Sequence, residues 1–125
     1  MLKNRDAVAT VAVKDVDAAR KFYEGTLELK PEASEEHGVL VYKSGNSKLL
    51  VYESQYAGTN KATAVTWSGG DDVEGFVRAL KAKGVAFEHY DLTGTTRKGD
   101  VHVTGSMKAA WFKDPDGNIL AILSE

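Results

Sequence analysis

The chain has no cysteine among its 125 residues. That excludes disulfides, thiolate metal ligands and cysteine nucleophiles. It also suits a reducing compartment, so a cytoplasmic protein is expected. An excess of charge is lacking too: 16 Lys and Arg stand against 18 Asp and Glu, a net charge of −2. Such a balance offers no attraction for nucleic acid or an anionic membrane, and neither partner is expected. No apolar run approaches the ~18 residues of a membrane span. The first residues, MLKNRDAVAT, hold nothing like the apolar core of a signal peptide. Low-complexity tracts are absent.

What is present is ordinary for a soluble globular protein, with 42% apolar and 27% charged residues. A chain of this length is one domain or two small packed modules, burying roughly two-thirds of its unfolded surface. A repeat is visible within it. ATVAVKDVDAARKFYEG runs an alternating strand into a helix, with Asp15 as N-cap, Asp17 in the first turn and Gly25 as the stop. Val16, Ala19, Phe22 and Tyr23 fall on one face of that helix. ATAVTWSGGDDVEGFVRALKAKG repeats the plan. There Asp71 with Glu74 reads as a capping box, Val73, Phe76, Val77 and Leu80 form the stripe, and Gly84 closes the helix.

Strand-like segments follow each helix. LELKPEAS, HGVLVYKS and SKLLVYES come after the first, with Ser44-Gly45-Asn46 as a hairpin turn. VAFEHYDL, MKAAWFKD and NILAILSE come after the second, with Asp114-Pro115-Asp116-Gly117 as the turn of the last hairpin. The expected fold class is α+β: two tandem βαβββ modules, residues 7–54 and 62–124, joined by QYAGTNK. The stretch from Thr93 to Gly105 shows no clear period and reads as a lid or as an edge excursion of the sheet.

This double βαβββ plan, with DVDAARKFY after the first strand and WFKDPDGNILAI at the end, resembles the vicinal oxygen chelate superfamily. Glyoxalase I, extradiol dioxygenases, fosfomycin-resistance transferases and bleomycin-resistance proteins make up that family. The resemblance covers nearly the whole chain. It implies that each module curls a mixed sheet into half of a cup, and that paired modules enclose a cleft. It also implies where a metal would be held: on the first and last strands of each module, near Val8 and Val51, and near Thr63 and Ala121. None of these four side chains suits a divalent ion, which takes imidazole or carboxylate donors. Moving the alignment by one residue offers Ala7 or Ala9, Leu50 or Tyr52, Ala62 or Ala64, and Leu120 or Ile122. No metal and no other cofactor is expected.

The cup implied by the resemblance would be lined by Val8, Thr10, Val51 and Glu53 from the first module. Thr63, Val65, Trp67, Trp111 and Ala121 would line it from the second. By strand parity Trp67 shares the side of Thr63, and Trp111 faces away from its neighbour Phe112. Flat rings there suit stacking on an organic molecule, and plain core tryptophans are the other reading. The histidines, His37, His89 and His102, lie on three segments without metal-ligand spacing. His102, in the stretch that would cover the cleft, is the weak candidate for acid–base work. Glu53 is the other weak catalytic candidate, with a solvated strand end as its alternative. His89 and Asp91 form either an ordinary cross-strand pair or a dyad.

Two functions of different classes follow. The first is a metal-free protein of the bleomycin-resistance kind that holds a small organic molecule, antibiotic-like compounds included, in an apolar cleft. The second is a lyase, isomerase or dioxygenase of the superfamily with a displaced catalytic site. A regulatory or interaction module is a third reading. A homodimer is expected, because small curled sheets leave open edges, with strand exchange through QYAGTNK as a further option.

Overall fold

The computed structural model describes residues 1–32 and 38–125; His37 lies outside them. The chain divides into two compact units, Met1–Thr59 and Asn60–Glu125. Each builds one mixed sheet with a helix against it, so the fold is α+β. No helix among the described residues is long and apolar enough to cross a membrane.

In the first unit a short 3-10 turn precedes β1 (Ala9–Val13), α1 (Val16–Arg20), β2 (Lys30–Glu32), β3 (Val39–Ser44) and β4 (Ser47–Glu53). Their order in the sheet is β1-β4-β3-β2, with β1 parallel to β4 and the other pairs antiparallel. Asp15 starts α1 as the sequence predicts, its Oδ1 accepting from the Asp17 N–H at 2.9 Å and the Ala18 N–H at 3.3 Å. Gly25 is not the stop. The helix widens into a π-helical segment, Lys21–Thr26, and runs through it; the left-handed residue that follows is Glu28, at φ +60°. Tyr23 and Tyr42 stack at 6.1 Å between ring centroids, and both are fully buried.

The second unit holds β5 (Thr63–Ser68), α2 (Val73–Ala82), β6 (Phe87–Glu88), β7 (Thr96–Lys98), β8 (Val101–Thr104), β9 (Met107–Lys113) and β10 (Ile119–Leu123). The sheet runs β5-β10-β9-β8-β7, and β6 shares the outer edge of β9 with β8. Five strand segments therefore follow the helix where three were expected. The stretch from Thr93 to Gly105 is mostly the β7–β8 hairpin, turning through Gly99 at φ +62° and Asp100. It is an edge of the sheet, and the lid reading is not what the strands form. Because β8 takes half of that edge of β9, β6 is only two residues long, and His89 to Leu92 lie beyond it.

α2 begins one residue later than predicted: Asp72, not Asp71, caps it, accepting from the Gly75 N–H at 3.2 Å. Its sheet-facing side centres on Val73 and Val77, so Phe76 falls at the margin and is 49% exposed rather than core. Gly69, between β5 and α2, has no room for a side chain, since a Cβ there would lie 2.7 Å from Ile122 Cγ2. The final hairpin follows its sequence closely. Asp114 Oδ1 accepts from the N–H groups of Asp116 and Asn118, each at 2.9 Å, and Asp114 Oδ2 accepts from Asn118 Nδ2 at 2.8 Å. Gly117 supplies the φ of +90° that the turn requires.

Candidate functional site

Paired residues of neighbouring strands point to the same side of a sheet, so register assigns faces. In the second unit Phe112, Leu120 and Ile122 face α2 and are buried. Trp111 and Ala121, paired with each other, face the opposite way. The expected separation of Trp111 from Phe112 therefore holds. Trp67 goes the other way. The pairing of β5 with β10 moves from Thr63↔Ile119 to Val65↔Leu120, which inserts Ala64 as an extra residue. A bulge reverses the alternation beyond it. Thr63 stays on the face of Trp111, while Val65 and Trp67 turn to the face of Leu120 and Ile122.

On the open face the Trp111 Nε1–H donates to Thr63 Oγ1 at 3.2 Å. Because β10 lies between β9 and β5, the indole must cross β10 to make that bond. The small side chain it passes belongs to Ala121, which is 1% exposed. Tyr90 and His102 complete an aromatic group around the same indole, with ring centroids 5.4 Å and 4.9 Å from it, both edge-to-face.

The first unit distributes its predicted residues differently from the expectation. Val11 pairs with Val51 and Val13 with Glu53, so Val51 shares the helix-covered face and is 0% exposed. Val8 and Thr10 have the opposite parity and are exposed, the Thr10 hydroxyl donating to its neighbour's carbonyl, Val8 O, at 3.2 Å. The four residues thus do not share one lining. The open face of this sheet carries Thr10, Leu50 and Tyr52 instead. Glu53 is an exposed strand end in the first unit, whereas His102 belongs to the second.

His102 is buried on β8 at 2% exposure, and its Nε2 accepts from the backbone N–H of Tyr90 at 2.9 Å. Its ring helps to line an open recess of ≈ 280 Å³, together with His89, Tyr90, Asp91, Thr95, Thr96 and Arg97. His89 is paired, but with Asp100 rather than Asp91: His89 Nε2 and Asp100 Oδ1 are 2.7 Å apart. Lys81 Nζ donates to Asp100 Oδ2, also at 2.7 Å. The Lys81 bond first and the His89 bond second hold the Asp100 carboxyl below the usual carboxylate range. In the sequence Tyr90 stands out only as one of several aromatics on predicted strands, and Arg97 and Asp100 carry no signal. Val-His-Val after Lys98-Gly99-Asp100 was the available cue for the hairpin that assembles them.

The chain matches the family model of the Glyoxalase/Bleomycin resistance protein/Dioxygenase superfamily over residues 6–122. It belongs to that superfamily. No curated protein sequence matches it. Among solved structures it is similar to lactoylglutathione lyase from Agrobacterium tumefaciens, at 17% identity and a TM-score of 0.71, covering 98% of this chain and 95% of that one. It is also similar to the genomically encoded fosfomycin resistance protein FosX from Listeria monocytogenes, at 14% identity and a TM-score of 0.68, covering 100% and 93%. A variant of that protein solved with Mn(II) and 1S,2S-dihydroxypropylphosphonic acid gives 14% identity and a TM-score of 0.69, covering 99% and 91%. At these identities the likeness is one of fold.

The residues at the superfamily's metal positions do not fit a metal. Val8, Val51 and Ala121 have no lone pair to donate, and the Thr63 hydroxyl is engaged by Trp111. Among the described residues no group of three His, Cys, Asp or Glu could hold an ion.

Proposed function

We propose that this protein holds a small organic molecule on the open face of its second sheet, without chemical change and without a divalent metal. One observation carries the reading: the place of the last-strand carboxylate is taken by Ala121, with the Trp111 indole spanning β10 to Thr63. A donor position has been replaced by an aromatic surface, which suits an apolar or planar ligand. The Agrobacterium and Listeria neighbours carry names that refer to small molecules, which agrees with such a ligand. The test joins elemental analysis of purified protein with a panel of aromatic and amphipathic compounds, antibiotics of the bleomycin type included, read by Trp fluorescence and thermal shift. Binding with recovery of the intact compound and no stoichiometric metal supports the reading. Stoichiometric zinc, nickel, iron or manganese refutes it.

A second reading, an enzyme of the lyase, isomerase or dioxygenase kind, is favoured by the His89–Asp100 contact at the recess. A carboxylate so placed orients an imidazole as a base, which makes His89 a better candidate than Glu53. Consumption of a bound compound, abolished by His89→Gln, would select this reading. The proposal extends to a homodimer, since β2, β5 and β7 are sheet edges. Ala57, within the segment expected to act as a hinge for strand exchange, is buried, which argues for a dimer without exchange. A monomeric mass in light scattering would exclude the dimer.

A further inference from the structure

Three lysines stand side by side on the first sheet. Lys30 on β2 pairs with Lys43 on β3, and Lys43 pairs in turn with Lys48 on β4. Paired residues share a face. The helical segment packs on the other face, where Tyr42, Leu49 and Val51 are buried, so the row lies on the open one. All three lysines are exposed. Like charges directly opposite each other across strands destabilise a sheet. One carboxylate relieves the row, Lys48 Nζ and Glu32 Oε2 being 3.0 Å apart. Among the described residues Lys30 and Lys43 have no acidic partner, so two positive charges stay uncompensated.

Beside the row the same face is apolar. One step along the strands stand Val41 and Leu50, paired with each other, and a second step brings Val39 and Tyr52. Val39, Val41 and Leu50 are half-buried, and Tyr52 is 37% exposed. Each two-residue step covers ~7 Å, so the apolar band reaches ~14 Å from the lysines. Glu32, which flanks Val41 on β2, is the carboxylate already engaged by Lys48. Cations at one end and hydrocarbon along the rest match a molecule built the same way, with an anionic head and an apolar body. A free molecule fits better than a bilayer, because a chain of net charge −2 has no overall attraction for an anionic surface.

We propose that the open face of the first sheet binds a free amphipathic anion, with its head on Lys30 and Lys43 and its apolar body along Val41, Leu50, Val39 and Tyr52. This site lies in the other unit from the ligand surface described above and does not depend on it.

The test is calorimetric titration with octanoate against octanol, at low and at high salt. Octanoate is expected to bind about tenfold more tightly than octanol, and high salt should erase most of that difference. Lys43→Glu places a carboxylate between two lysines. It should raise the thermal midpoint through two new cross-strand pairs, while octanoate affinity falls about tenfold or more. Opposite signs in one variant separate a binding role from a structural one. A lowered midpoint would trace the lost affinity to structure and overturn the proposal. No octanoate binding, equal binding of octanol, or parental affinity in Lys43→Glu also overturns it. Loss of octanoate binding in Trp111→Ala, with Lys43→Glu unaffected, moves the anion to the second sheet; that overturns this site and supports the reading above. Co-sedimentation with anionic but not neutral vesicles would assign the row to a membrane. A change of mass in light scattering on Lys43→Glu would assign it to a second copy of the chain. Either result overturns the free anion.

Discussion

Trp111 and Thr63 are joined by a 3.2 Å hydrogen bond that reaches across an intervening strand. The indole can take that course because the residue paired with Trp111 on β10 is Ala121. The same bond answers for Ala121: a longer side chain there would compete with the indole for space, and a charged one would lose its water. Ala121→Glu is therefore expected to destabilise the protein by at least ~2 kcal/mol in chemical denaturation. It should restore no metal binding, because the other positions still lack donors. Tight manganese or zinc uptake by the variant would show that the site is one residue short of a metal centre and that the indole yields.

Asp100 ties α2 to the recess through Lys81 on one oxygen and His89 on the other. Its carboxyl is held below the usual range, so the ionised form is favoured in the folded state. The stability it contributes is present above the unfolded carboxylate value of about 4 and is lost as pH falls through the lower folded value. Lys81 and His89 are both well exposed, so solvent screening keeps the contribution small. Asp100→Asn is expected to cost about 1 kcal/mol at neutral pH. Its deficit relative to the parent should shrink below about pH 4. A deficit that persists unchanged at pH 3 would place the effect in packing of the hairpin instead of in charge.

Most of the frame could be read from the chain because its signals are local. Asp15, Gly84 and the Asp114–Gly117 turn act within a few residues of themselves, and each does what its neighbours in sequence imply. The faces of the strands were less legible. Val51 pairs with Val11, and the side of the sheet that α1 covers follows from that register rather than from alternation alone. One inserted residue, Ala64, then reverses Val65 and Trp67. A bulge costs the sequence nothing visible: ATAVTW alternates as well with it as without it. The recess was hidden for another reason. Its parts come from the end of β6 and from a hairpin whose pairing partners lie beyond local pattern, so His102 read as a loop residue although it is buried.

Tyr42 Oη donates to Glu24 Oε2 at 2.8 Å beneath the π-helical segment. Burial first, and the Glu24 hydrogen bond second, raise this hydroxyl far above the ordinary phenol value. A raised value means stability that is complete below about pH 10 and lost as pH climbs further, because only the unfolded tyrosine ionises readily there. Tyr42→Phe should cost about 1–2 kcal/mol at pH 7, through the lost bond to a carboxylate. It should also flatten the alkaline limb of the stability profile. Tyr90, whose hydroxyl is raised as well, leaves part of that limb in place. An alkaline limb identical in variant and parent would assign the whole effect to Tyr90.

The two tryptophans, placed alike by simple alternation, should part company in experiment. Trp67 lies on the face of Leu120 and Ile122, and Trp111 on the face with Tyr90 and His102. Trp67→Ala is therefore expected to lower stability by about 2–3 kcal/mol, near the low end for a large aromatic because the ring is only partly buried. Affinity for any compound captured by the protein should hardly change, provided measurements are made well below the lowered thermal midpoint. Trp111→Ala removes the aromatic surface itself. Stacking adds about 0.5–1.5 kcal/mol beyond the area buried, so its affinity should fall about tenfold or more. The two variants can be compared at matched stability by raising the temperature of the Trp111 variant or adding mild denaturant to it. Equal loss of affinity in both would mean that binding follows stability and not the face of the sheet. Loss in the Trp67 variant alone would move the ligand to the opposite side of β5.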